Sequence, residues 1–143
     1  ASDVYKRQEG NPPEINLLSE KNNGKIVFEL IDKDLALSCH DISNGGLIVT
    51  LSEMAMSTDI GVKVENPKKL RNFIEYLFGE DQGRYVLEID SKNIQKVEKL
   101  LKENNIYYEH IGKTQEKFFE IVGEMKLDVN DLFKVNNQWY NSY

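Results

Sequence analysis

The sequence predicts an α+β fold in which a mixed, mostly antiparallel sheet of about five strands is covered by helices. Three observations carry this. Strand-like apolar runs alternate with helix-period apolar stripes, two strand runs stand together near the C-terminal end, and 143 residues suffice for one domain with a real core.

The elements follow in order. Residues 1–13 are polar and end in Asn11, Pro12 and Pro13, which disfavour helix and read as a linker or an extraneous remnant, leaving 14–143 as the single domain. From Glu14 to Asp32 the apolar set Ile15, Leu17, Leu18, Val27, Leu30 and Ile31 predicts a helix, although Asn22, Asn23 and Gly24 weaken its middle. Leu35 to His40 reads as a short strand. Leu47, Ile48, Leu51, Met54 and Ala55 recur at spacings of three and four, so 45–57 is a helix with one buried face. Ile60 to Val64 alternates as a half-buried strand. Pro67 opens a helix with the stripe Leu70, Phe73, Ile74, Leu77 and Phe78, which is core spacing rather than a cofactor box.

A strand follows at Tyr85 to Ile89, then a helix capped by Ser91 and carrying Ile94, Val97, Leu100 and Leu101. Ile106 to Gly112 and Phe118 to Val122 read as two strands of a hairpin joined by the polar segment Lys113 to Lys117. Asp128 starts a last helix with Leu132, Phe133 and Trp139 turned inward.

Composition excludes several classes. A net charge of -6 argues against a broad nucleic-acid or anionic-membrane surface, because both rely on summed positive charge. One cysteine excludes an internal disulfide framework and a cysteine zinc site, and fits a reducing, cytoplasmic setting. No apolar run approaches the roughly 20 residues of a membrane helix, and the N-terminal stretch lacks the apolar core of a signal peptide. His40 and His110 are far apart, and neither a serine–histidine–acid nor a cysteine–histidine spacing supports nucleophilic catalysis.

Two polar turns stand out. In the first, Cys39 to Leu47, a strand leads into Asp41, Ser43, Asn44, Gly45 and Gly46 and then a helix. Main-chain N–H groups at such a junction can face a phosphate, helped by the helix dipole, and the Asp41 carboxylate can hold magnesium. The same residues equally read as a helix start with Ser43 or Asn44 as N-cap. The second turn places Glu80, Asp81, Gln82, Gly83 and Arg84 between a helix end and a strand. Two acids, an amide and an arginine can recognise a ligand by paired hydrogen bonds, or form a solvated turn with a surface ion pair.

Read together, the turns carry a resemblance. H-D-I-S-N-G-G-L at His40 to Leu47, continuing L-S-E-M-A from Leu51 to Ala55, resembles the carboxy-terminal half of phosphoribosylformylglycinamidine synthase. F-G-E-D-Q-G-R-Y-V from Phe78 to Val86 resembles the second signature of that region. Pro12 with Pro13, E-K-N-N-G at Glu20 to Gly24 and I-G-K-T at Ile111 to Thr114 sit in family order. The resemblance spans about residue 9 to the end. It implies an aminoimidazole ribonucleotide synthase C-terminal-domain-like fold and the last of four domains in a duplicated enzyme.

That enzyme converts formylglycinamide ribonucleotide, ATP and glutamine-derived ammonia to formylglycinamidine ribonucleotide, ADP and phosphate. The resemblance further implies a half whose nucleotide is largely structural, so no catalytic residue is assigned and the isolated domain is expected to be inactive. By the same resemblance Asp41 would hold magnesium, Ser43, Asn44, Gly45 and Gly46 would face the ATP or ADP phosphates, and Glu80, Gln82 and Arg84 would lie at a substrate position. Asn44 stands where the family usually has an aspartate, which weakens any second metal ligand. Implied partners are the N-terminal domains of the parent synthase, a glutaminase subunit and a small accessory subunit. Faces that pack against those domains predict self-association of this domain alone. The rival reading is a non-catalytic α+β binding or assembly module whose polar turns are surface features.

Overall fold

The computed structural model describes residues 15–65, 73–140 and 142. The linker prolines, Pro67 and Leu70 lie outside the described residues, as does the Trp139 side chain. Helix α1 (Leu17–Asp32) starts at Asn16, whose side chain accepts the Ser19 N–H at 3.0 Å. It runs unbroken through Asn22, Asn23 and Gly24, because burial of Ile26 and Leu30 outweighs their weak helix propensity. After it come β1 (Ser38–Asp41), α2 (Gly46–Thr58), β2 (Ile60–Val64), α3 (Phe73–Phe78) and β3 (Tyr85–Glu88). A single 3-10 turn (Ser91–Asn93) leads into α4 (Ile94–Glu103), followed by β4 (Gly112–Glu116), β5 (Phe118–Ile121), β6 (Met125–Asp128) and α5 (Val129–Tyr140).

The strands form two sheets. β1 and β3 make an antiparallel ribbon, and the other four run in the order β4-β2-β5-β6, with β2 and β5 parallel and the remaining pairs antiparallel. The expected α+β class and mixed, mostly antiparallel pairing hold, but the terminal strands differ from expectation. Ile106 to Ile111 lies outside any sheet, with Ile106 and Tyr108 packed onto a core cluster. The polar stretch expected to be a turn is itself strand β4, and β4 does not pair with β5. Instead β2 lies between them. Gly61 admits the close approach of β5, since a Cβ there would stand 2.3 Å from the Phe118 carbonyl oxygen. The true hairpin is β5 with β6, turning at 122–124.

Two apolar clusters result. One gathers Leu47, Leu51, Val64, Leu77, Phe119 and Ile121 between α2 and the four-stranded sheet. The other joins Ile26 and Leu30 of α1 to Val97 and Leu101 of α4. The β1–β3 ribbon lies between them, because adjacent strand residues face opposite ways: Val86 enters the first cluster and Leu87 packs on the second. The expected inward stripe of α3 is narrower than its spacing implies, with Leu77 buried but Ile74 and Phe78 exposed. Phe133 of α5, expected inward, is also exposed, and Leu132 alone of that pair packs on the first cluster. No helix among the described residues is long and apolar enough to cross a membrane.

Candidate functional site

The ribbon brings the two polar turns together. Its last register pair is Asp41 with Tyr85, so the chain leaving β1 and the chain entering β3 lie side by side. The Ile42 N–H donates to the Arg84 carbonyl at 2.9 Å and extends the pairing into both turns. The result is one open cleft of about 380 Å³ lined by Asp41, Ser43, Asn44, Glu80, Gln82 and Arg84 among others.

The start of α2 is built differently from the sequence expectation. Neither Ser43 nor Asn44 caps the helix; the N-cap is Gly45, in the left-handed region at φ +80°. Its N–H donates to the Glu80 carboxylate at 2.8 Å, so a side chain 35 residues away meets the positive helix end. The Gly46 N–H donates to the Ser43 carbonyl at 3.1 Å. A phosphate at this point therefore competes with Glu80. Ser43 and Asn44 are exposed at the rim.

Arg84 folds back on its own turn. Nη2 donates to the Gly79 carbonyl at 2.6 Å, Nε donates to the Asp81 carbonyl at 3.1 Å, and Nη2 pairs with the Asp81 carboxylate at 3.3 Å. Its fork is thus spent on shaping the wall. Above it, α3 is tied to the 106–111 segment by Tyr76 Oη donating to Glu109 at 3.1 Å. Burial first, then the Glu109 carboxylate, pushes the Tyr76 phenol far above its usual value, so it stays a donor throughout the neutral range.

Asp41 sits at the mouth with its side chain 63% exposed and the His40 imidazole 3.5 Å from a carboxylate oxygen. Among the described residues no three His, Cys, Asp or Glu side chains gather around a point. A single hard carboxylate suits magnesium, which keeps most of its waters and takes phosphate oxygens, and does not suit an all-protein metal cage. With Asp41 and Glu80 on the lining and Arg84 already paired to Asp81, the cleft is net acidic. An acidic lining of this kind disfavours a bare phosphate.

Two residues of the site escaped the sequence reading. Thr50 is buried on α2 at 1% exposure and its hydroxyl donates to the Asp41 carbonyl at 3.2 Å. A hydroxyl on the apolar face of a helix was the available signal. Asn23, on α1, donates to the Gly83 carbonyl at 2.9 Å. Cys39 lies half-buried behind Asp41; burial first and the Asp41 charge second push its thiol up from its ordinary value. As the single cysteine of the chain it is a clean probe. Its alkylation rate should rise with a pH midpoint above that of an unstructured cysteine, and Asp41→Asn should move the midpoint down by the smaller of the two contributions. A midpoint at the ordinary thiol value would contradict this placement.

Comparison with known proteins gives consistent matches. Residues 2–123 match the family described as AIR synthase related protein, C-terminal domain. Phosphoribosylformylglycinamidine synthase subunit PurL of Pelagibacter ubique (strain HTCC1062) is 39% identical over 143 residues, 100% of this chain and 20% of that protein. The subunit of the same name from Rhodopseudomonas palustris (strain BisB5) is 36% identical over 141 residues, 99% of this chain and 19% of that protein. The chain thus spans about a fifth of the length of these relatives. Among solved structures, T. maritima PurL complexed with FGAR superposes with a TM-score of 0.71 at 16% identity, over 82% of this chain and 21% of that one. T. maritima PurL complexed with ATP gives 0.67 at 15% identity, over 78% and 21%. At that identity the structural matches speak for the fold.

Proposed function

Because the chain belongs to the family of AIR synthase related C-terminal domains, we propose that it serves as the carboxy-terminal domain of a phosphoribosylformylglycinamidine synthase, closing over a nucleotide site with its Asp41 and Glu80 turns. The observation that carries the proposal is the single cleft: two separate polar turns of the sequence line one opening. Identity to PurL subunits across the length of the chain supports the parent enzyme, and the T. maritima PurL complexes with ATP and ADP support a nucleotide in that parent.

In this reading Asp41 turns its exposed carboxylate to the magnesium that accompanies ATP or ADP, and the Ser43 hydroxyl and the Asn44 amide meet phosphate oxygens from the rim. Magnesium, when bound, offsets the phosphate charge that the acidic cleft would otherwise repel. The Gly45 N–H reaches a phosphate only where Glu80 swings away, and the Gly46 N–H, which donates to the Ser43 carbonyl, shapes the helix start. Gln82 presents an amide to a substrate or a neighbouring domain, with Arg84 holding that wall in place. The remaining domains of the parent supply the rest of the site, and a glutaminase subunit and a small accessory subunit complete the assembly. A cytoplasmic setting follows from the pathway of the parent enzyme.

ATP turnover separates this reading from an independent enzyme. The chain alone should hydrolyse ATP no faster than buffer with formylglycinamide ribonucleotide and ammonia present, and turnover should appear when the other synthase domains are supplied. Turnover by the chain alone that is lost in Asp41→Ala would overturn the proposal.

A further inference from the structure

We propose that Asn23 of α1 is a positioning residue for the cleft: without reaching the ligand, it fixes the Glu80–Arg84 turn in the place that nucleotide binding requires. The inference rests on the nucleotide reading given above. Asn23 Nδ2 donates to the Gly83 carbonyl at 2.9 Å, across 60 residues of sequence and in a partly buried position. The same helix face makes two more approaches to this wall. Gly83, at φ +70°, lies so close to α1 that a Cβ there would stand 2.5 Å from Glu20 Cγ, and a Cβ on Gly24 would stand 3.8 Å from the Tyr85 hydroxyl. Glu20, Asn23 and Gly24 share one side of the helix, since residues three and four apart are neighbours there.

α1 is itself fixed by Ile26 and Leu30 in the second apolar cluster. The Glu80–Arg84 turn is therefore clamped from two sides: Arg84 ties Gly79 and Asp81 together from within, and Asn23 ties Gly83 to a helix belonging to the other cluster. Gly83 follows Gln82 and precedes Arg84, whose carbonyl holds the Ile42 N–H. Releasing Gly83 thus loosens the wall and the seam between the two turns without removing any lining side chain. The short segment Glu20 to Gly24, conspicuous in the sequence yet far from both turns, finds its role in this contact.

The test is Mg·ADP affinity in the synthase that carries this domain. Asn23→Ala and Asn23→Asp, which lacks the amide donor at unchanged size, should each weaken Mg·ADP by about three- to tenfold, the range one intramolecular hydrogen bond spans. The nucleotide-free thermal midpoint should fall by no more than the few degrees that one hydrogen bond contributes, while Lys25→Ala, an exposed change on the same helix, should leave affinity unaltered. Asn23→Asp binding as tightly as the wild type, or both Asn23 variants within twofold of it while Asp41→Ala binds weakly, overturns the inference alone. An Asp41→Ala protein that binds as the wild type does removes the nucleotide reading and this inference with it.

Discussion

Gly46→Ala should destabilise the domain by about 3 kcal/mol and separate the two turns that form the cleft. Two costs add. Gly46 sits at φ +71°, where a side chain costs roughly 1–2 kcal/mol. A Cβ there would also stand 2.7 Å from the Leu77 carbonyl oxygen, 2.7 Å from the Phe78 carbonyl carbon and 2.8 Å from the Gly79 carbonyl oxygen. All three are main-chain atoms at the end of α3, so no rotamer change relieves the contact, and overpacking of this kind costs roughly 1–3 kcal/mol. The first turn of α2 and the last turn of α3 touch through this glycine, and the Glu80 carboxylate bonds Gly45 immediately beside it. Denaturant unfolding of the variant reads the loss directly. A stability within about 0.5 kcal/mol of the wild type, the range of an ordinary surface change, would show that α2 and α3 do not meet as described.

How much of this was legible beforehand depended on whether the information was local. The periodicity of 45–57 identified α2, and Gly46–Thr58 is what forms. The Glu14 to Asp32 pattern likewise identified α1, although the Asn22, Asn23 and Gly24 interruption concealed that this face has work to do against another turn. Strand partners are non-local and were not legible. Lys113 to Lys117 reads as the polar connection of a hairpin, because the edge strand Gly112–Glu116, with exposed Lys113, Thr114 and Glu116, needs no apolar alternation. Ile106 and Tyr108 mimic a strand because both are partly buried, yet they pack on a cluster without pairing.

The candidate site divides in the same way. Asp41, Ser43, Glu80, Gln82 and Arg84 were recognisable as two motifs, and the structure brings both motifs to one cleft. Their division of labour was not visible. Glu80 replaces the expected serine or asparagine cap because the Asp41–Tyr85 register brings its turn to the start of α2, whereas Arg84 turns to the main chain of its own turn, a local contact that the residue types alone left open.

In the proposed function this cleft forms one wall of a magnesium–nucleotide site, and Asp41 is the residue that tests it most directly. Its carboxylate lies open at the mouth, and Thr50 and His40 hold its carbonyl at 3.2 Å and 2.7 Å, so Asp41→Ala removes the carboxylate while leaving the main chain pinned. Mutations of groups that only support a metal ligand cost about 10–100-fold in metal affinity, and loss of a ligand itself should cost about tenfold or more. Because the carboxylate acts through the cation, the deficit should be full at saturating magnesium and should close as magnesium is withdrawn. Ser43→Ala, which removes one hydrogen bond to a phosphate oxygen at the solvent-exposed rim, should cost about two- to tenfold at every magnesium concentration. The decisive measurement is a calorimetric titration of ADP into the synthase bearing Asp41→Ala, across a magnesium series. The expected result is an affinity about tenfold or more below the wild type at saturating magnesium, with a gap that closes as magnesium is withdrawn; equal affinity at every magnesium concentration would contradict it.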